Sequence, residues 1–172
     1  NELGVLTPPL EVLADPATSW FVLFNYDDVG YVKDDETLDS SAADAILNQI
    51  KTATDQGNKD RVAKGWSPIV VDGWAQLPYY DPTTHGLTWA ISAKDGESSG
   101  VVNYQSRVLG RRGVMRVTMV LAPALVASTT PTYDGIISGI NFKAGDTYQE
   151  YRAGDKVAEY GLVGLISGGA AV

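Results

Sequence analysis

The chain has 172 residues, 44% hydrophobic and 20% charged, with 18 Gly and 8 Pro; this excludes wholesale disorder, collagen and coiled coil and leaves enough length for a real core. A net charge of −8 makes nucleic acid a poor partner. The absence of cysteine removes disulfides, thiolate metal sites and cysteine nucleophiles, and the single histidine, His85, cannot build a multi-histidine zinc site.

The acid sits at the front: residues 1–50 carry ten acidic side chains against one base, Lys33, while the remainder is nearly balanced. Residues 1–18 hold three prolines and no steady period, so an irregular lead-in is expected. Trp20 to Tyr26 is aromatic and β-branched, bounded by Asp27, Asp28 and Gly30, which marks a buried strand. From Asp39, an N-cap candidate, Ala43, Ile46, Leu47, Ile50 and Ala53 recur at three and four and predict a helix; Gly57 and Gly65 bracket a second, polar helical stretch.

Four strands follow, over 69–75, 87–93, 101–109 and 114–121, joined by short turn-rich links. Such links favour an antiparallel meander, because a parallel pair needs a crossover of about a dozen residues or more. Alternation puts Leu87, Trp89, Ile91 and Ala93 on one face of their strand, and Asn103, Gln105 and Arg107 on one face of the next, which reads as an oily sheet face and a mixed one. Helices are expected over 123–127 and 133–140 and from Asp155 to the end. The class is therefore α+β, an antiparallel meander of four to six strands with helices packed on it. No repeat, low-complexity tract or long linker divides the chain, so one domain over 1–172 is expected.

Three polar constellations could carry chemistry. Arg107, Arg111, Arg112 and Arg116 fall within ten residues that contain no acid, beside Asn103, and guanidinium forks suit carboxylate or phosphate. The plainer reading is a hairpin turn between Gly110 and Gly113 whose arginines pair with the acidic front of the chain. The loop at 72–86 offers Trp74 and Tyr80 as aromatic walls and Asp81 with His85 as an acid/base pair, since a carboxylate can orient an imidazolium; Asp-Pro and Gly also simply make turns. Asp27, Asp28, Asp34, Asp35 and Glu36 lack the spacing of a calcium loop and read as a solvated acidic loop, so neither a metal nor any other cofactor is implied. Residues 160–172 carry no charge; they fit a buried C-terminal helix, or the approach to a membrane helix removed from this chain, with Gly164 and Gly168 spaced for close helix approach.

Five stretches in register, GYVKDDE at 30–36, NKDRVAKGW at 58–66, VDGWAQLPYYDPTTHGLTWA at 71–90, NYQSRVLGRRGV at 103–114 and DKVAEYGLVGLISGGAA at 155–171, resemble a bacterial family of predicted membrane-anchored proteins of unknown function, domain of unknown function family 2167. The family pattern places an acidic residue after the Asn-Tyr pair, where this chain has Gln105. The resemblance implies a signal peptide, an extracytoplasmic domain of the cell envelope facing the periplasm, and a C-terminal hydrophobic helix in the inner membrane; it supplies no catalytic residues. The expectation is a non-enzymatic, membrane-tethered domain that binds a small ligand, a protein partner or a second copy of itself. The alternative is a hydrolase or transferase with Asp81 and His85 as acid and base and arginines holding an anionic substrate.

Overall fold

The computed structural model describes residues 11–15, 20–96 and 100–168. Six strands form one antiparallel sheet: β1 (Glu11–Asp15), β2 (Trp20–Asp27), β3 (Ile69–Asp81), β4 (Gly86–Asp95), β5 (Val101–Leu109) and β6 (Val114–Leu121), in the spatial order β1-β2-β6-β5-β4-β3. The expected meander is β3 to β6, with β2 docked against β6 and β1 outside it. The lead-in is thus not wholly irregular. Its residues 11–15 become a strand because β2 offers an unpaired backbone edge from Trp20 to Phe24, a tertiary partner that local pattern does not reveal.

Three helices complete the α+β fold: α1 (Ser40–Ala63), α2 (Val126–Ser138) and α3 (Leu162–Ser167). Asp39 caps α1, its side chain accepting from the Ala42 N–H at 2.9 Å. The two stretches expected around Gly57 are one helix. A helical glycine costs only about 1 kcal/mol relative to alanine, and the polar half is tied down by Asn58, which donates to the Ile69 carbonyl (2.7 Å) and accepts from its N–H (2.8 Å). The expected pair of helices after Pro123 is a short 3₁₀ turn running into α2, which continues through Pro131. The long C-terminal helix is corrected most: among the described residues from Asp155 on, only 162–167 is helical, and Asp155 caps nothing there because Arg111 holds its carboxylate. Gly164 packs against the Tyr160 side chain and Gly168 closes α3 at φ +85°, so both serve the domain itself. Residues 169–172 lie outside the described residues.

Register also corrects the two sheet faces. Trp89 pairs with Gln105 and Ile91 with Asn103, so the apolar positions of β4 and the polar positions of β5 share one face. On that face, α1 and α3 cover Leu87, Trp89, Ile91, Leu109 and Val114 with Ile46, Leu162, Leu165 and Ile166. The other face carries Val22, Phe24, Val102, Tyr104, Val117 and Met119 under Tyr133 of α2. Covering both faces buries two apolar layers, each side chain contributing roughly 1.5–3 kcal/mol.

Tyr133 is fully buried and its hydroxyl donates to Ser106 Oγ (3.0 Å), which lies 2.7 Å from Thr88 Oγ1. Burial pushes the phenol well above its ordinary range, so it stays a donor. Tyr133→Phe is expected to lower the unfolding free energy by about 1–2 kcal/mol while far-UV circular dichroism stays unchanged. An unaltered urea midpoint would show that this polar cluster contributes nothing net.

Candidate functional site

At one end of the sheet the β3–β4 turn, the end of β5, the end of α2 and the segment 141–149 enclose a cleft of about 210 Å³. Its geometry starts with the turn. Asp81 accepts from the Thr83 N–H (2.8 Å) and from Thr84 Oγ1 (3.0 Å), an Asx-type turn that holds its carboxyl below the usual carboxylate range. The chain then enters β4 through His85 at φ 51°, the one non-glycine with positive φ among the described residues. A left-handed histidine costs of order 1 kcal/mol or more, and such residues persist only where neighbours fix them.

Those neighbours are visible. His85 Nδ1 lies 2.9 Å from the Tyr80 hydroxyl, and that hydroxyl donates to Asp34 Oδ2 at 2.8 Å. Burial, with the Asp34 hydrogen bond second, pushes the Tyr80 phenol far up, so it remains protonated. The donor sequence follows: His85 Nδ1–H donates to Tyr80, Tyr80 to Asp34, and Nε2 is left to accept from the Gln149 amide at 2.7 Å. The imidazole also stacks on Tyr148 at 4.3 Å between centroids, Tyr148 on Tyr31 at 4.5 Å, and Tyr31 on Tyr151 at 4.3 Å. Tyr148 is itself buried, its hydroxyl donating to the Val32 carbonyl at 2.8 Å.

The segment that carries Tyr148 has almost no regular structure and is held by side chains. Glu150 Oε2 accepts from Thr147 Oγ1 (2.7 Å), the Thr147 N–H (3.1 Å) and the Gly145 N–H (2.6 Å), and these bonds lower its pKa. Arg111 grips Asp155 with both ends of its fork, at 2.6 and 2.7 Å, and reaches the Gly145 carbonyl at 3.1 Å. Arg112 pairs with Asp146.

Of the residues singled out in the sequence, the structure brings Tyr80 and His85 together. It does not pair Asp81 with His85: the Asp81 carboxylate is engaged by its own turn, and the carboxylate nearest the imidazole is Asp34, 3.9 Å from Nδ1. Arg111 and Arg112 are loop clamps. Arg107 is 8% exposed, stacked 4.8 Å above the Trp89 ring and donating to Gln105 Oε1 (2.9 Å) and the Ser106 carbonyl (3.0 Å). Burial, then the neighbouring Arg116, brings its pKa down to about 10. Asn103 lies on that same sheet face and Trp74 packs into the core under α1 and α3, neither of them lining the cleft. The acidic loop is not merely solvated, since Asp27 pairs with Arg116 at 2.7 Å, Asp34 accepts a hydrogen bond from the Tyr80 hydroxyl and Glu36 accepts from the Val163 N–H at 2.8 Å. Among the described residues no group of three or more His, Asp or Glu side chains is placed to hold a metal ion. Tyr148 and Gln149 were missed, and Asp34 was read only as part of the acidic loop, because they lie 63, 64 and 51 residues from His85, a distance at which spacing carries no signal.

Fold and cleft together define an α+β domain with an aromatic and hydroxyl-lined pocket at one end of its sheet. The chain belongs to the family described as "Protein of unknown function (DUF2167)", which it matches over residues 1–172. No curated protein matches it. Among solved structures it is similar to PA94, a protein of unknown function from Pseudomonas aeruginosa (10% identity, 81% of this chain and 87% of that one, TM-score 0.44). It is also similar to cyanobacterial PsbP (CyanoP) from Synechocystis sp. PCC 6803 (13% identity, 81% and 96%, TM-score 0.41). Likeness at this level bears on neither site nor activity. No helix among the described residues is long and apolar enough to cross a membrane.

The Arg111–Asp155 pair makes a pH prediction. Asp155 is held down to about 2, first by the Arg111 hydrogen bond, against about 3.9 in an unfolded chain. A depressed folded-state pKa contributes stability that is complete above about pH 4 and is lost as pH falls toward 2, because the unfolded chain takes up the proton first. Asp155→Asn is expected to unfold at lower urea near neutrality and to converge on the parent protein in acid. A constant gap from pH 6 to pH 2 would exclude the pair as its origin.

Proposed function

We propose that this chain is a binding domain of the bacterial cell envelope, tethered to a membrane, that holds a small ligand in the His85 cleft without transforming it. The observation that carries this reading is the state of the imidazole. It belongs to the sequence's single histidine, and both of its nitrogens are bonded within the protein, to Tyr80 and to Gln149. A general base needs a free nitrogen facing the reacting atom. The cleft otherwise presents hydroxyls, amides and apolar walls, which suits recognition.

The envelope location and the tether rest on the uncharged run at 160–172 and on the resemblance noted above. Leu162, Leu165 and Ile166 are used inside the domain, so in this reading the tether begins beyond α3.

Ser138 is exposed at the cleft, and Ser138→Trp fills it from outside the core. Incubation with a bacterial envelope extract followed by native mass spectrometry should show a small molecule retained by the parent protein and lost, by at least about tenfold in occupancy, from Ser138→Trp. Steady accumulation of a converted product would favour the alternative enzyme. Fractionation of cells making the full-length gene product should place it in the detergent-requiring fraction; release without detergent would remove the tether.

A further inference from the structure

We infer that the cleft recognises a neutral, polyhydroxylated ring, a saccharide unit, through the uncommitted acceptor atoms and the apolar side chains that line it together. The inference rests on the binding reading above and adds the ligand class.

Most side-chain protons in the cleft lining are already used within the protein. Thr84 Oγ1 donates its proton to Asp81, Ser138 Oγ to the Gly135 carbonyl at 3.1 Å, and Thr147 Oγ1 to Glu150. Asn141 turns an amide N–H to the Gly139 carbonyl at 3.2 Å, and Gln149 turns one to His85. What these side chains have left for a visitor is more lone pairs than protons: each hydroxyl can still accept and each amide carbonyl oxygen is uncommitted, while Asn141 and Gln149 each keep one N–H. A cleft lined this way pairs with a ligand that brings its own donors. Carboxylates and phosphates bring acceptors only, and the nearby arginines, Arg111 and Arg112, are already paired with Asp155 and Asp146.

Among the described residues no Asp, Glu, Lys or Arg lines the cleft, so an ionic group entering it would lose water without a charged partner. The net charge of −8 further disfavours anions. The same lining includes Ile137, Ile140 and Phe142, interleaved in sequence with Ser138 and Asn141. A pyranose has the matching character, hydroxyl donors around its edge and C–H groups across its face. The volume, about 210 Å³, is below the roughly 300–1,000 Å³ of sites for drug-sized ligands and suits one ring.

The test uses the whole chain, isotope-labelled, titrated with glucose, N-acetylglucosamine, glucuronate and protonated glucosamine and followed by amide NMR shifts. The neutral sugars should shift Thr84, His85, Ser138 and Gln149 with Kd values in the millimolar range, glucuronate should bind at least about tenfold more weakly, and Gln149→Leu should weaken glucose about five- to tenfold, the worth of one hydrogen bond. Ser138→Trp should abolish every shift. Glucuronate or glucosamine binding as tightly as glucose would overturn the ligand class and leave the binding domain standing. If no sugar perturbs the cleft yet the extract ligand is still displaced by Ser138→Trp, the saccharide assignment alone falls. If neither is seen, both fall.

Discussion

The fork of Arg111 is the interaction on which the functional end of the molecule depends. The chain from Ile140 to Gly161 is longer than a compact domain ordinarily leaves without helix or strand, and it contains one 3₁₀ turn. Arg111 sits at the β5–β6 turn and fastens that segment twice by side chain, at Gly145 and Asp155, and once by its own N–H, which donates to the Asp146 carbonyl at 2.9 Å. Once these points are fixed, Tyr148 is delivered against His85 and the backbone of Tyr31 pairs with Val157. A bidentate guanidinium–carboxylate pair sets angle as well as distance, which a lysine at this position would not.

The aromatic ladder is the second consequence. Tyr151, Tyr31, Tyr148 and His85 stack in series, linking the acidic front of the chain to its last third. Each contact adds only about 0.5–1.5 kcal/mol beyond burial. Their joint effect is positional: the imidazole is fixed in its plane by Tyr148 and at its two nitrogens by Tyr80 and Gln149, which is how a left-handed histidine is maintained.

What the sequence could disclose followed the range of the interactions involved. Strands β5 and β6 and the cap at Asp39 are legible because alternation and capping are local. β1 was not, since five residues become a strand only when β2 stands beside them. The helix expected from Asp155 failed for a related reason: a good N-cap residue is equally a good partner for arginine, and an arginine 44 residues away claimed it. The cleft was half legible. Tyr80 and His85 are five residues apart, at the end of β3 and in the turn after it rather than on the long loop expected over 72–86, whereas Asp34, Tyr148 and Gln149 enter from distant segments.

The outer strand β3 sets how the sheet meets its surroundings. It breaks register between Val71 and Gly73, between Trp74 and Gln76, and again between Gln76 and Tyr79, and it carries Pro78, which has no N–H to offer. At its start, Asn58 occupies the outward-facing N–H and carbonyl of Ile69. A kinked and partly capped border of this kind cannot template a further strand along its length. Growth of the sheet into a ribbon of stacked copies is therefore blocked on that flank, and the molecule keeps a blunt side even at high local concentration.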